Sequence, residues 1–307
     1  MKTMSGAPVS RYSFGTMQFG GKADEAESAA MYDACREAGN NFVETAWAYN
    51  GGASEEILGR LTARERDDVF IATKAGNGKT ASKEVIDREF GESRKRLGME
   101  TVDLFYVHQP DPVTPLEVTL DAVRPYVESG AVRHVGLSNH AAWATMKARG
   151  IARDMGFDIH VLQPMYNLVK RTAEIELLPM AAKEGFAVCP YSPLGGGLLT
   201  GKYARGDGGR IRDDKMYARR YSDDWMFDAA KGLNDIATEV GADAATLAVA
   251  WVARHHGVWG PIISARSVAQ LRPSLEAMNF EMDDTLYARI ASLTPTPPPY
   301  NDRTEEA

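Results

Sequence analysis

The chain has 307 residues, 44% of them hydrophobic and 25% charged, the balance of an ordinary globular protein and a length that suits one large α/β barrel or two average domains. Its net charge of −7 gives no electrostatic reason to expect nucleic acid or an anionic membrane as a partner. Two cysteines, Cys35 and Cys189, match no metal-ligand spacing and form no disulfide framework, which fits a reducing cytoplasm. The opening MKTMSGAPVSRYSFG lacks the apolar core of a signal peptide, and no run of about 18 apolar residues points to a membrane span, so a cytoplasmic location is expected.

Short apolar runs alternate with helical patterns along the chain. RYSFG (11–15) opens the series, and DEAESAAMYDACREAG follows it with helical spacing, ending at Gly39 as a C′ glycine. Next come FVE (42–44) and VFIAT (69–73), then a helical stretch from Ser82 to Gly98. LFYVH (104–108) precedes TPLEVTLDAVRPYVESG, where Thr114 and Pro115 stand in N-cap and first-turn order. RHVGLS (133–138), HVLQP (160–164), FAVCPYS (186–192) and PIISA (261–265) complete the strand candidates. Most are continuously apolar, which suggests strands covered on both faces. Eight strands, each followed by a helical region, predict a (β/α)8 TIM barrel forming a single domain over 1–307.

One interval breaks the rhythm. Between strands seven and eight lies a long excursion with a glycine-rich loop and a charged segment, KYARGDGGRIRDDKMYARRYSDD. It also holds two helical patterns, DWMFDAAKGLNDIATEVG and DAATLAVAWVARHH. An insertion of this length at the active-site end of a barrel suggests a functional loop. RIRDDKMYARR reads as a solvated face or as a loop over a ligand's phosphates, and His255 and His256 read as C-terminal helix cations. From about residue 293 a proline-rich tail is expected to run extended over the surface.

In a parallel barrel the C-terminal strand ends converge on one face. Those ends bring together Glu44 of the second strand, Tyr49 just beyond it, Lys74 of the third and His108 of the fourth. A phenol, with an ordinary pKa of about 10, is a poor proton donor near neutrality. A lysine ammonium beside it favours the phenolate, a carboxylate keeps the lysine charged, and an imidazole can bond a carbonyl oxygen. Taken singly, each residue has an ordinary reading: a salt-bridged strand end, a rim lysine, a turn histidine, a rim aromatic. Together they make a device for protonating a carbonyl as it becomes an alkoxide.

The pattern resembles the aldo-keto reductase family. The family's D-T-A-x-x-Y-G followed by S-E-x-x-L-G reads here E-T-A-W-A-Y-N-G-G-A-S-E-E-I-L-G, and the likeness runs along almost the whole chain. The resemblance implies Tyr49, Lys74, His108 and Glu44 as the catalytic set, with Glu44 where the family has Asp. It implies that Ser138, Asn139 and Gln163 bond a nicotinamide carboxamide and that Tyr191 stacks on the ring. The run Ser192, Pro193, Leu194, Gly195, Gly196 and Gly197, with Lys202 beyond it, would approach the pyrophosphate, as glycines near phosphates do. Ser264, Arg266 and Gln270 would take the adenosine end, Arg266 meeting a 2′-phosphate and so favouring NADPH over NADH. Asn50 stands where Gly is usual, and Ser274 where an adenine-facing Asn is common.

The resemblance therefore implies an NADP(H)-dependent oxidoreductase acting on an aldehyde, ketone or sugar, in either direction, with no metal. Met17, Trp47 and Asn50 are candidate substrate contacts, with Trp225, Tyr217 and Met165 further possibilities; Trp47 and Met165 read equally well as packing at the barrel mouth. Some family members instead serve as cofactor-holding subunits of ion channels, which is the alternative reading. A metal-dependent isomerase or aldolase barrel would need Asp, Glu or His ligands at strand ends, where this chain has Ser-Asn and Gln-Pro. Oligomeric state is left open.

Overall fold

Eight strands alternate with helices in the computed structural model, which describes residues 1–78, 80–203 and 208–306. Residues 204–207 of the charged segment and Ala307 of the tail lie outside the described residues. The strands are β1 (Ser13–Gly15), β2 (Phe42–Glu44), β3 (Phe70–Ala75), β4 (Val102–Val107), β5 (Val132–Ser138), β6 (Ile159–Gln163), β7 (Ala187–Val188) and β8 (Ile262–Ile263). Every neighbouring pair is parallel, in the order β7-β6-β5-β4-β3-β2-β1-β8. The two ends of that sheet meet: Trp259 N donates to Val188 O and Ile262 N to Pro190 O, each at 2.9 Å. The expected (β/α)8 barrel is the fold. All eight strands fall where the apolar runs put them, but β7 and β8 shrink to two residues each. Pro190 and Pro261 flank them, and a proline has no N–H to give a ladder.

The helices of the first half are α1 (Glu25–Glu37), α2 (Ala53–Thr62), α3 (Lys83–Leu97), α4 (Leu116–Glu128), α5 (Ala142–Asp154) and α6 (Leu177–Glu184). In the excursion come α7 (Arg210–Asp213), α8 (Lys215–Arg220), α9 (Asp224–Val240) and α10 (Ala244–Arg254), and α11 (Val268–Glu276) and α12 (Asp284–Ala291) follow β8. Local chemistry sets several of their ends. Ser82 caps α3 by accepting from Val85 N, and Gly98 ends it with φ +66°. Helix α4 differs from expectation by one position: Pro115 is itself the N-cap, and Asp111 takes the N–H groups of Val113 and Thr114 just before it. His255, expected as a cation, is half-buried and pushed down to about 4 by that burial, while its Nδ1 accepts from Gly257 N at 3.0 Å. It is neutral at pH 7 and serves as an acceptor.

Both faces of the strands are covered, which is why they read as unbroken apolar runs. Phe42, Phe70, Leu104, Tyr106, Val161 and Ile262 fill the inside of the barrel. Val9 and Met1, from a short N-terminal loop held by a Lys2–Pro8 bridge, pack against that cluster and close its lower end. The alternate residues Val43, Ile71, Phe105, Val135 and Leu162 face outward into the shell of Met31, Leu58, Phe90, Leu120 and Trp251. Among the described residues no single helix is long and apolar enough to cross a membrane.

Closure of the ring leaves no room at Gly260, where an added Cβ would lie 1.5 Å from the Arg11 carbonyl oxygen. The Gly260→Ala variant is expected to lose about 3 kcal/mol or more of stability, because backbone blocks the methyl and cannot swing aside. Urea denaturation of the two proteins measures it; a difference within about 0.5 kcal/mol, the size of an ordinary surface change, would mean that the ring gives way there.

Candidate active site

The strand ends converge as the topology requires. Glu44 is the last residue of β2 and 4% exposed; Lys74 lies in β3 and is 0% exposed. Their side chains form a buried ion pair. Lys74 Nζ also donates to Thr45 O at 2.8 Å and to the Tyr49 hydroxyl at 3.2 Å, and it stands 4.9 Å from the Tyr49 ring centre. Burial presses the Lys74 pKa down, and Glu44 is the main opposing influence. The neighbouring strand makes space for the carboxylate: a Cβ at Gly15 would lie 2.9 Å from Glu44 Oε1. His108, directly after β4, is pushed down to about 3, by burial first and by the Lys74 charge second. Its ring is therefore neutral at pH 7, stands edge-on to Tyr49 at 6.1 Å between centres, and keeps a buried Nδ1 that has no partner among the described residues.

The turn that carries Tyr49 is fixed from two sides. Asn50 has φ +49°, a left-handed backbone that Asn tolerates better than most residues, which accounts for Asn in the place of Gly. Its Nδ2 donates to Met17 O at 2.9 Å and Phe19 O at 2.7 Å. From the other side Arg96 of α3 lies flat on Gly52, where a Cβ would come within 2.5 Å of its guanidinium carbon. Arg96 donates to Trp47 O at 3.1 Å and pairs with the fully buried Glu55 at 3.3 Å. Thr73, next to Lys74, donates to the same Glu55 carboxylate at 2.7 Å. Trp47 bonds Glu92 through Nε1 at 2.6 Å and lies near the guanidiniums of Arg88 and Arg96. Trp47 and Asn50, expected as substrate contacts, thus support the turn that carries Tyr49 from outside the cavity. The Arg96–Glu55 clamp is absent from the sequence-based expectation, since no spacing links a helix-end arginine to a glutamate 41 positions earlier.

A cavity of about 750 Å³ opens over these residues, within the range of small-molecule sites. Glu44, Tyr49, His108 and Met17 line it, with Lys74 buried beneath. Ser138, Asn139 and Gln163 form its polar end. Asn139 sits at φ +63° and donates through Nδ2 to His108 O at 3.1 Å and Ser138 Oγ at 3.0 Å, while Tyr191 donates to its Oδ1 at 2.7 Å. Ser192, also left-handed at φ +59°, has its carbonyl held by Asn167 Nδ2 at 2.9 Å. Pro193, Leu194, Gly196, Gly197 and Lys202 line the next stretch, whereas Gly195 is buried behind it. At Gly196 a Cβ would meet the Tyr217 ring at 2.8 Å, and Gly197 holds a left-handed φ of +94°, so both must be bare.

At the far end stand Ser264, Arg266 and Gln270, with Gln270 Oε1 accepting from Arg266 N at 3.4 Å. Asp243 and Ala245 from the start of α10 join them, without having been singled out in the sequence. Ser264 Oγ and Ser274 Oγ are buried with no partner among the described residues, and Ser274 lies behind the lining. Met216, Tyr217 and Arg220 of α8 also line the cavity, which corrects the solvated-face reading of RIRDDKMYARR. Trp225 and Met165 do not line it. An amide-rich end, a bare glycine cradle and cations beyond it suit a phosphate-bearing dinucleotide, and the orphaned serine hydroxyls leave donors to spare.

Barrel and mouth together are those of a (β/α)8 oxidoreductase. The chain belongs to the aldo/keto reductase family, whose model matches residues 11–295. It is similar to a probable voltage-gated potassium channel subunit beta of Oryza sativa subsp. japonica, 34% identical over 292 residues that cover 90% of this chain and 89% of that one. It is also similar to aflatoxin B1 aldehyde reductase member 2 of Rattus norvegicus, 33% identical over 301 residues (90% and 82%), and to the aldo-keto reductase YhdN of Bacillus subtilis, 31% identical over 298 residues (91% and 88%). The family acts on carbonyl compounds and generally uses nicotinamide cofactors.

Removing Arg96 leaves the buried Glu55 without its cation and is expected to cost about 3–5 kcal/mol. Arg96→Met should show that loss in urea, and the double variant Glu55→Gln/Arg96→Met should recover most of it. Equal losses in the two variants would mean that packing of the arginine, and not its charge, holds the turn.

Proposed function

We propose that the protein is an NADPH-dependent reductase of aldehydes or ketones. One observation carries the reading: the Lys74 ammonium, paired with buried Glu44, donates to the Tyr49 hydroxyl at 3.2 Å. A nicotinamide cofactor, when bound, would be the source of hydride for the carbonyl carbon. Tyr49 gives its proton to the carbonyl oxygen as negative charge develops there, and Lys74 favours the phenolate left behind. Glu44 keeps the lysine charged against the cost of burial. Neutral His108 has one N–H to donate, so it can bond the carbonyl oxygen without competing for the proton.

Ser138, Asn139 and Gln163 would hold the carboxamide, and Tyr191 would form a flat wall for the ring. Gly196 and Gly197 would let backbone approach the pyrophosphate, while Arg266, with Lys202 nearer the cradle, would favour a 2′-phosphate. The reverse reaction, oxidation of an alcohol or sugar, uses the same groups. A second reading, a cofactor-holding regulatory subunit with slow chemistry, draws support from the likeness to the rice protein named as a channel subunit.

Consumption of reduced cofactor across a panel of aldehydes, ketones and sugar aldehydes separates the two. The reductase reading expects NADPH to be preferred over NADH, and Tyr49→Phe to lose about 100-fold or more in turnover. Tight NADPH binding with no turnover on any carbonyl would instead favour the regulatory reading.

A further inference from the structure

The extra methylene of Glu44 has a partner that a shorter carboxylate would not reach. Gln163 closes β6 on the far side of the barrel and is 3% exposed. Its backbone carbonyl accepts from Ser138 Oγ at 3.1 Å and Asn139 N at 3.2 Å, so its main chain is held. Its side-chain Nε2 lies 3.4 Å from Glu44 Oε2, the same oxygen that takes the Lys74 ammonium. An ionised carboxylate only accepts, so it attracts the amide nitrogen and repels the amide oxygen. That preference removes the usual ambiguity over which way a buried glutamine amide faces. The Gln163 nitrogen points to Glu44, and Gln163 is among the residues that line the cavity.

Reach is what makes the link. Shortening the side chain by one methylene withdraws the carboxylate by about 1.5 Å, one C–C bond, and a contact already at 3.4 Å is then lost. The opening behind the carboxylate exists because Gly15 has no side chain.

We propose that Glu44 is a positioning residue for cofactor recognition: through Gln163 it fixes an acceptor oxygen that selects a primary carboxamide on the nicotinamide ring. The inference rests on the nicotinamide reading of the cavity and adds a role beyond holding Lys74. A ring bearing an acetyl group in place of the carboxamide keeps the carbonyl but has no N–H to give, so it should be bound less well. The selectivity should depend on Glu44 only while Gln163 is present.

The test is calorimetric titration of the full-length protein with NADP+ and with its 3-acetylpyridine analogue. The parent, Glu44→Asp, Gln163→Leu and the double variant are compared. The parent is expected to prefer NADP+ by about tenfold, the worth of one good buried hydrogen bond. Glu44→Asp should reduce the preference to within about threefold, mostly by weakening NADP+, and should change it no further when Gln163 is already Leu. Each preference is a ratio measured on one protein, so partial unfolding of a variant cancels. A preference that survives Glu44→Asp, or that falls equally with and without Gln163, overturns the inference. Binding of both dinucleotides without selectivity in the parent overturns it too while leaving the nicotinamide reading intact. Absence of NADP+ binding in the parent overturns both.

Discussion

The mouth of the barrel is organised around one costly interaction, an ion pair between Lys74 and Glu44 with both side chains almost wholly withdrawn from water. Burying two charges costs several kcal/mol per ion, and their attraction returns that only when the remaining hydrogen-bonding positions are also filled. Here Thr45 O and the Tyr49 hydroxyl take further donors of the ammonium, and Gln163 donates to the carboxylate. Such a pair is a weak source of stability. Its position beside a phenol, at the mouth of a barrel and on the edge of a cavity, suits it to chemistry.

Other features follow from keeping that pair in register with Tyr49. The phenol comes from a turn and not from a strand, so the turn must be as rigid as the strands on either side. Asn50 ties it to the chain after β1, and Arg96 with Glu55 ties it to α3. The buried Lys74–Glu44 pair and the partly buried Arg96–Glu55 pair thus lie back to back, joined through Thr73 and Lys74 of one strand. Among the described residues, three of the four non-glycine residues with positive φ lie at the turn or on the cavity, Asn50, Asn139 and Ser192. Backbone held in such conformations is tolerated where the surroundings over-determine it, as the side-chain bonds to Asn139 and to the Ser192 carbonyl do.

The barrel is legible in the sequence because buried parallel strands leave unbroken apolar runs, and the converging polar residues stand out as interruptions at their ends. What the sequence hides is partnership across distance. Trp47 reads equally as a pocket aromatic or as packing at the barrel mouth, and what decides it is an indole that faces Glu92, Arg88 and Arg96, residues whose approach depends on how α3 packs. Asn50 reads as a departure from a glycine and becomes intelligible once its backbone angle is known. Tyr217 and Arg220 belong to a charged segment with no strong periodicity, and only the path of the excursion brings them over the glycines. The glutamate in place of an aspartate is visible at once, whereas Gly15 and Gln163, which give its length a purpose, are 29 and 119 positions away.

A Lys74–Glu44 pair kept for chemistry and not for stability should be dispensable to the fold and indispensable to turnover. The most direct test is the double variant Glu44→Gln/Lys74→Met, which removes both charges together and leaves neither orphaned. The variant is expected to unfold in urea within about 1 kcal/mol of the parent, or to be more stable, since replacing a whole buried pair is often neutral or stabilising. Its carbonyl reduction is expected to fall by about 100-fold or more, the usual contribution of a tuned general acid. Turnover within a few-fold of the parent would mean that the pair is not there for chemistry.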